Sequence, residues 1–321
     1  MRWLVVVAVL AGCPKGGDTP KPIEPPPVDH RPGDRLLPVD DAAAAVILPP
    51  APPQPAEPRG LPAIPLDSRY DGAIALGEVL FHDPRLSTDS KTSCATCHDP
   101  AHGYAGAAPA TGEPKPRRAP PLVNLAWHTA LGSDGRYASL DDQLAAHLAD
   151  LIGADVATTI GRIGALPRYR ALNARAQLLP ADAPAPALVD HDVIKALHIF
   201  VTTRYEGDSP WDRVERAPDA PAELKAGYKL FAGKAQCAVC HTPPLYTDLA
   251  VHDGVKTPTV RGAAARAAFF HDGSATTLDA AIDAHPAIKK VALSPTERAQ
   301  LGAFVRALTA STATPTKPVL P

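Results

Sequence analysis

The chain has one methionine, and it is residue 1. No thioether is therefore available inside the sequence as a ligand or as adaptable core filler. Aromatic residues make up only 5% of the 321 positions, so a bound group that is itself large and apolar could replace much of the core they would otherwise supply. No internal apolar run approaches the ~20 residues needed to cross a bilayer. The formal charge of −2 leaves no basic excess for nucleic acid or for a long membrane-binding patch. Strand signals are nearly absent.

Against these absences stand five cysteines, four of them in two short runs: Cys94-Ala95-Thr96-Cys97-His98 and Cys237-Ala238-Val239-Cys240-His241. Cys-x-x-Cys-His is the c-type haem attachment pattern. The thiols of Cys94 and Cys97, and of Cys237 and Cys240, add across haem vinyl groups, while His98 and His241 supply the proximal iron ligands. A structural zinc site or a thioredoxin-like pair gives no reason for a histidine directly after each second cysteine. The expectation is two covalently bound haem c groups. With Met1 alone available, neither iron can take the Met ligand that raises the potential of ordinary cytochromes c.

Residues 1–12 read as a lipoprotein signal peptide: Arg2 gives a positive end and Trp3 to Ala11 a short apolar stretch. Leu10-Ala11-Gly12-Cys13 resembles a bacterial lipobox, which assigns the odd cysteine, Cys13, to lipidation and anchoring. Pro14 after it points to a periplasm-facing lipoprotein of the outer membrane. Residues 13–65, with Pro25-Pro26-Pro27 and Pro49-Pro50-Ala51-Pro52-Pro53, read as a disordered, Pro-rich tether.

Helical spacing predicts helices over Ala73–Phe81, Leu140–Leu151, Gly161–Leu179, Asp190–Thr203, Ala222–Phe231, Thr277–Ala284 and Pro295–Thr309. A Gly-x-x-Leu-Phe helix precedes each haem motif, with Gly77, Leu80 and Phe81 in one and Gly227, Leu230 and Phe231 in the other. The fold class is all-α: two cytochrome c-like domains, 66–207 and 208–311, and a disordered tail over 312–321.

Several blocks together resemble the bacterial dihaem cytochrome c peroxidase and MauG superfamily, in order along residues 70–308. They are Leu76 to Phe81, Asp83 to Ser87, Ser93 to His98, Arg117 to Asn124, Asp134-Gly135-Arg136 with Gln143, Ser209 to Asp212, Thr257 to Gly262 and Phe269 to Gly273. The resemblance implies a peroxidatic N-terminal haem and an electron-transfer C-terminal haem. It implies reduction of hydrogen peroxide with electrons from a small cytochrome c or cupredoxin, in a chain that forms homodimers in many relatives. The alternatives are MauG-like, peroxide-dependent oxidation of a protein or small molecule, and a non-enzymatic dihaem electron carrier.

The chain also departs from that family. Where reductively activated relatives carry a histidine that caps the resting first haem, the sequence has Ala110; His102 and His128 lie nearby. The place of the family's catalytic glutamate, ten residues beyond Gln143, is Gly153. Asp150, Asp155 and His147 are then the candidate distal acid/bases. Ser133 replaces an inter-haem tryptophan, for which Trp127 and Tyr137 are possible substitutes. Arg118 matches a calcium-ligating asparagine, and a cation is a poor calcium neighbour, so calcium is not expected. The distal ligand of the second haem lies fourteen residues after the His of His-Asp-Gly in relatives, which here is His285. Ligation by His241 and His285 predicts a lower potential than Met ligation gives.

Overall fold

A glycine on one helix and a phenylalanine on its partner recur in two helix pairs, and each pair carries one haem motif. The computed structural model describes residues 58–63, 68–106, 117–153, 155–180, 183–310 and 317–321. Helix α1 (Asp71–His82) buries almost its whole length, with Ile74, Leu76, Val79, Leu80 and Phe81 at 2% exposure or less. After it come α2 (Cys94–Cys97), α3 (Leu140–Ile152), α4 (Val156–Gly164), α5 (Pro167–Ala176) and α6 (Asp190–Thr202). Helix α6 lies so close to α1 that a Cβ on Gly77 would collide with the Ala196 carbonyl and Phe200. Phe81 and Phe200 then meet with ring centroids 5.2 Å apart.

The second pair repeats this device. Helices α7 (Pro210–Val214), α8 (Ala222–Ala232), α9 (Leu278–Ala284) and α10 (Pro295–Arg306) surround a second cluster. Gly227 of α8 faces the Gln300 carbonyl and Phe304 of α10 as Gly77 faces α6, and Phe231 meets Phe304 at 5.1 Å. Only glycine permits such backbone approach. The sequence repeat therefore encodes a packing joint.

Two expectations change in detail. The run expected as one helix over 161–179 is two, α4 and α5. Leu166 turns extended, and Pro167 opens α5 at a position where no N–H is required. The chain also contains strands: β1 (Val251–His252) pairs antiparallel with β2 (Val255–Lys256). Asp253 and Gly254, both at positive φ, form their turn, the Asp-Gly hairpin signal.

Residues near both ends of the described chain are tied down. Arg261 and Asp212, each 1% exposed, form a bidentate pair at 2.8 Å, while Arg261 also donates to Pro244 O and Gly60 O. Residues 58–63 of the expected tether thus reach the folded body, where Asp208 N also donates to Arg59 O. The tail expected to be disordered over 312–321 has its last five residues described, and there Leu320 packs on the first cluster and Arg85 donates to Pro321 O. Among the described residues no helix is long and apolar enough to cross a membrane.

Candidate functional site

Both Cys-x-x-Cys-His runs close into tight turns. Ser93 caps α2 while Thr96 reaches back to Ser93 N, and His98 N donates to Cys94 O at 2.8 Å. In the second run a 3-10 turn spans Cys237–Val239, and His241 N donates to Cys237 O at the same distance. Cys94 packs against the first hydrophobic cluster and Cys237 against the second. All four thiols are free, as attachment to a vinyl group requires. Burial pushes the Cys94 thiol up to about 12 and the Cys237 thiol to about 11.

Each proximal imidazole is held by its far nitrogen. His98 Nδ1 donates to Tyr104 O at 3.1 Å and His241 Nδ1 to Pro258 O at 3.1 Å. This arrangement fixes ring and tautomer and leaves Nε2 as the ligand atom. Burial depresses both imidazoles to about 4, so each is neutral, the form that binds metal.

Helix α9 ends at His285, which faces His241 with ring centroids 6.2 Å apart and planes inclined by 62°. Iron held between two imidazole nitrogens needs about 2 Å on each side, so this spacing suits one iron between the rings. Ala287 N approaches His285 Nδ1 at 3.3 Å, a long contact that ligation at Nε2 would displace by moving the ring proton to Nδ1. The donor set at both motifs therefore fits haem c.

The three distal candidates near the first motif, His147, Asp150 and Asp155, are all exposed. The charge of His147 on α3 is felt at His98, and its ring packs against Tyr137 at 6.3 Å while Nδ1 bonds Gln143 O. Asp150 is exposed near the end of α3, and Asp155 caps α4 by accepting from Thr158 N. Ala110 and Cys13 lie outside the described residues.

The other residues singled out by sequence take separate positions. His102 pairs with Asp99 at 2.8 Å in its loop. Trp127 stacks obliquely on Tyr205 at 5.8 Å. His128 accepts from Lys256 at 2.6 Å, and burial drives the imidazole down to about 3 and the ammonium to about 8. Arg118 is buried, donating to Phe270 O at 3.0 Å and to Gly106 O. Sequence reasoning missed the Tyr104 and Pro258 carbonyls, because a backbone acceptor carries no residue signature. It also missed Lys256 and Arg266, single cations whose half-buried positions depend on the fold.

Comparison with known proteins identifies the family. Residues 71–219 match the family model of di-haem cytochrome c peroxidase. Methylamine utilization protein MauG of Methylorubrum extorquens is 34% identical over 291 residues, 77% of this chain and 81% of its own. Cytochrome c551 peroxidase of Pseudomonas aeruginosa is 28% identical over 206 residues, 62% of this chain and 56% of its own. Among solved structures, a MauG-like protein associated with microbial copper homeostasis superposes with a TM-score of 0.64 at 24% identity, over 81% of this chain and 95% of that one. The diheme peroxidase BthA of Burkholderia thailandensis shares the fold at a TM-score of 0.56 and 20% identity, over 85% and 99%. The chain belongs to the di-haem cytochrome c peroxidase family, and is a peroxidase-like oxidoreductase of the kind that carries two haem c groups.

Proposed function

We propose that the protein reduces hydrogen peroxide to water at the haem attached to Cys94 and Cys97, with electrons from a small cytochrome c or cupredoxin entering at the haem attached to Cys237 and Cys240. The observation that carries this reading is the asymmetry of the two sites: His285 stands opposite His241 at 6.2 Å, whereas no ring pair joins His98 to a second imidazole among the described residues. When bound, haem c supplies the iron that takes up peroxide and exchanges electrons. The protein's part is to keep the two irons different. His98 holds the first from one side through Nε2. His147, its Nδ1 engaged by Gln143 O, has Nε2 free to take and return a proton. His285, opposite His241, would hold the second haem from its other side, leaving that haem to supply electron transfer rather than peroxide binding.

The two hydrophobic clusters serve as the cores of two haem-binding halves, 66–207 and 208–311. Arg118 places a guanidinium among the Gly106 and Phe270 carbonyls, which supports a reading without calcium there. The lipobox-like Leu10 to Cys13 run supports a lipid anchor at Cys13, with the enzyme periplasm-facing at the outer membrane.

A MauG-like oxidation of a protein or small-molecule substrate is the second reading. Similarity to two MauG proteins, each covered over 81% of its length, favours it. Mixing ferric holoprotein with stoichiometric peroxide, with and without prior one-electron reduction, separates the readings. Turnover with a reduced donor supports the peroxidase. Reaction without reduction, and without turnover of the donor, supports the MauG-like enzyme. Silence in both arms contradicts both and leaves an electron carrier.

A further inference from the structure

Arg266 lies in the segment between Pro258, which accepts from His241, and Phe270, which accepts from Arg118. Its Nη2 donates to two backbone carbonyls, Thr259 O at 2.8 Å and Arg261 O at 2.7 Å. Its Nε is buried and has no hydrogen-bond partner among the described residues. Arg266 is half-buried, and enclosing one of its guanidinium N–H groups without an acceptor is costly.

The surroundings add to the imbalance. Arg118, 8% exposed, is close enough for its charge to act on Arg266. Glu206 is the carboxylate whose charge reaches Arg266, but it forms no ion pair there and instead accepts from Ala310 N at 2.7 Å. Asp272 faces Arg118 from the exposed surface. Arg261 is already neutralised by Asp212 at 2.8 Å. The cluster thus holds two guanidinium groups and one carboxylate, and it lies on the side of His241, which feels the charge of Arg266.

We infer that Arg266, supported by Arg118, is the binding site for a propionate of the haem attached at Cys237 and Cys240. A haem propionate is an anion carried on a largely apolar ring, so burying it demands a cation with N–H donors pointed at it. The free Nε–H of Arg266 is such a donor, and the ion pair supplies the missing negative charge. The positive charge of the clamp would disfavour the ferric state and hold the potential of that haem up.

This inference rests on the dihaem reading, and the test keeps the two apart. Arg266→Gln and Arg266→Lys holoproteins are compared with the parent by pyridine haemochrome count, resonance Raman spectroscopy and spectroelectrochemical titration. A parent count below two haems per chain overturns the dihaem reading and the clamp with it. With two haems present, Arg266→Gln is expected to shift the propionate-bending band and lower the potential of the low-spin haem. Arg266→Lys, which keeps the charge, is expected to recover most of the potential but not the parent band. If Arg266→Gln loses haem, the band shift in Arg266→Lys decides. An unchanged band and potential in haem-replete variants, or a response confined to the haem at His98, overturns the assignment.

Discussion

His241 and His285 face each other across 6.2 Å, one fixed from behind by Pro258 O and the other set at the end of α9. On the function proposed above, this facing pair is what would make the two haem sites of the chain unequal. The consequences for stability and reactivity can each be measured.

Gly77 and Gly227 are the joints of the two halves. Gly77→Ala and Gly227→Ala each push a methyl group into a facing backbone carbonyl, Ala196 O or Gln300 O. Overpacking of this kind costs about 1–3 kcal/mol. Each variant should lower the thermal midpoint of the holoprotein, whereas Gly161→Ala, where nothing lies within 4 Å of the added Cβ, should not. An unchanged midpoint for the first two would deny the joint.

Sequence spacing revealed these joints as a repeated Gly-x-x-Leu-Phe, because a helix that must come close to its partner needs its small residue at a fixed distance from its large ones. The same spacing did not show the break between α4 and α5, since Ala165 and Leu166 continue the apolar pattern that Pro167 interrupts. The hairpin at Val251–Lys256 escaped because strands of two residues have no measurable alternation, although Asp253-Gly254 carried the turn signal. His285 was legible by counting from His271. The choice among His147, Asp150 and Asp155 stayed open, because spacing along α3 and the turn after it does not say which of these exposed groups bears on His98.

Asp212→Asn should be the more damaging change in the Arg261 pair. It leaves a buried guanidinium facing a neutral amide, and breaking a buried pair in this way costs about 3–5 kcal/mol. Denaturant titration of the holoprotein reads the loss. A cost under about 1 kcal/mol, the range of surface pairs, would show that Gly60 O and Pro244 O suffice for Arg261.

Asp83 gives the first half an acid-sensitive anchor. Burial raises its carboxyl, but hydrogen bonds from Arg85 and from Tyr169 at 2.6 Å outweigh that and hold it below the usual range. Its stabilisation is therefore complete above the unfolded value of about 3.9 and is lost as pH falls through the depressed folded value. Asp83→Asn should unfold more readily than the parent at neutral pH, and the gap should narrow below about pH 4. A gap independent of pH would contradict the assignment.

His147→Gln should slow the reaction with peroxide by about 100- to 10,000-fold, the usual contribution of a positioned acid/base. The second-order rate of peroxide-induced spectral change measures this directly. Asp150→Asn and Asp155→Asn should stay within a few-fold of the parent, since neither charge is among those felt at His98 and Asp155 caps α4. A larger loss in either aspartate variant than in His147→Gln would move the proton-transfer role to that residue.

The inequality of the two haems is tested most directly by the low-temperature paramagnetic resonance spectrum of the ferric holoprotein as isolated. The facing histidines predict one low-spin signal of bis-imidazole type, absent from His285→Ala, beside a separate high-spin signal from the haem held by His98. A spectrum in which both haems are high-spin would contradict it.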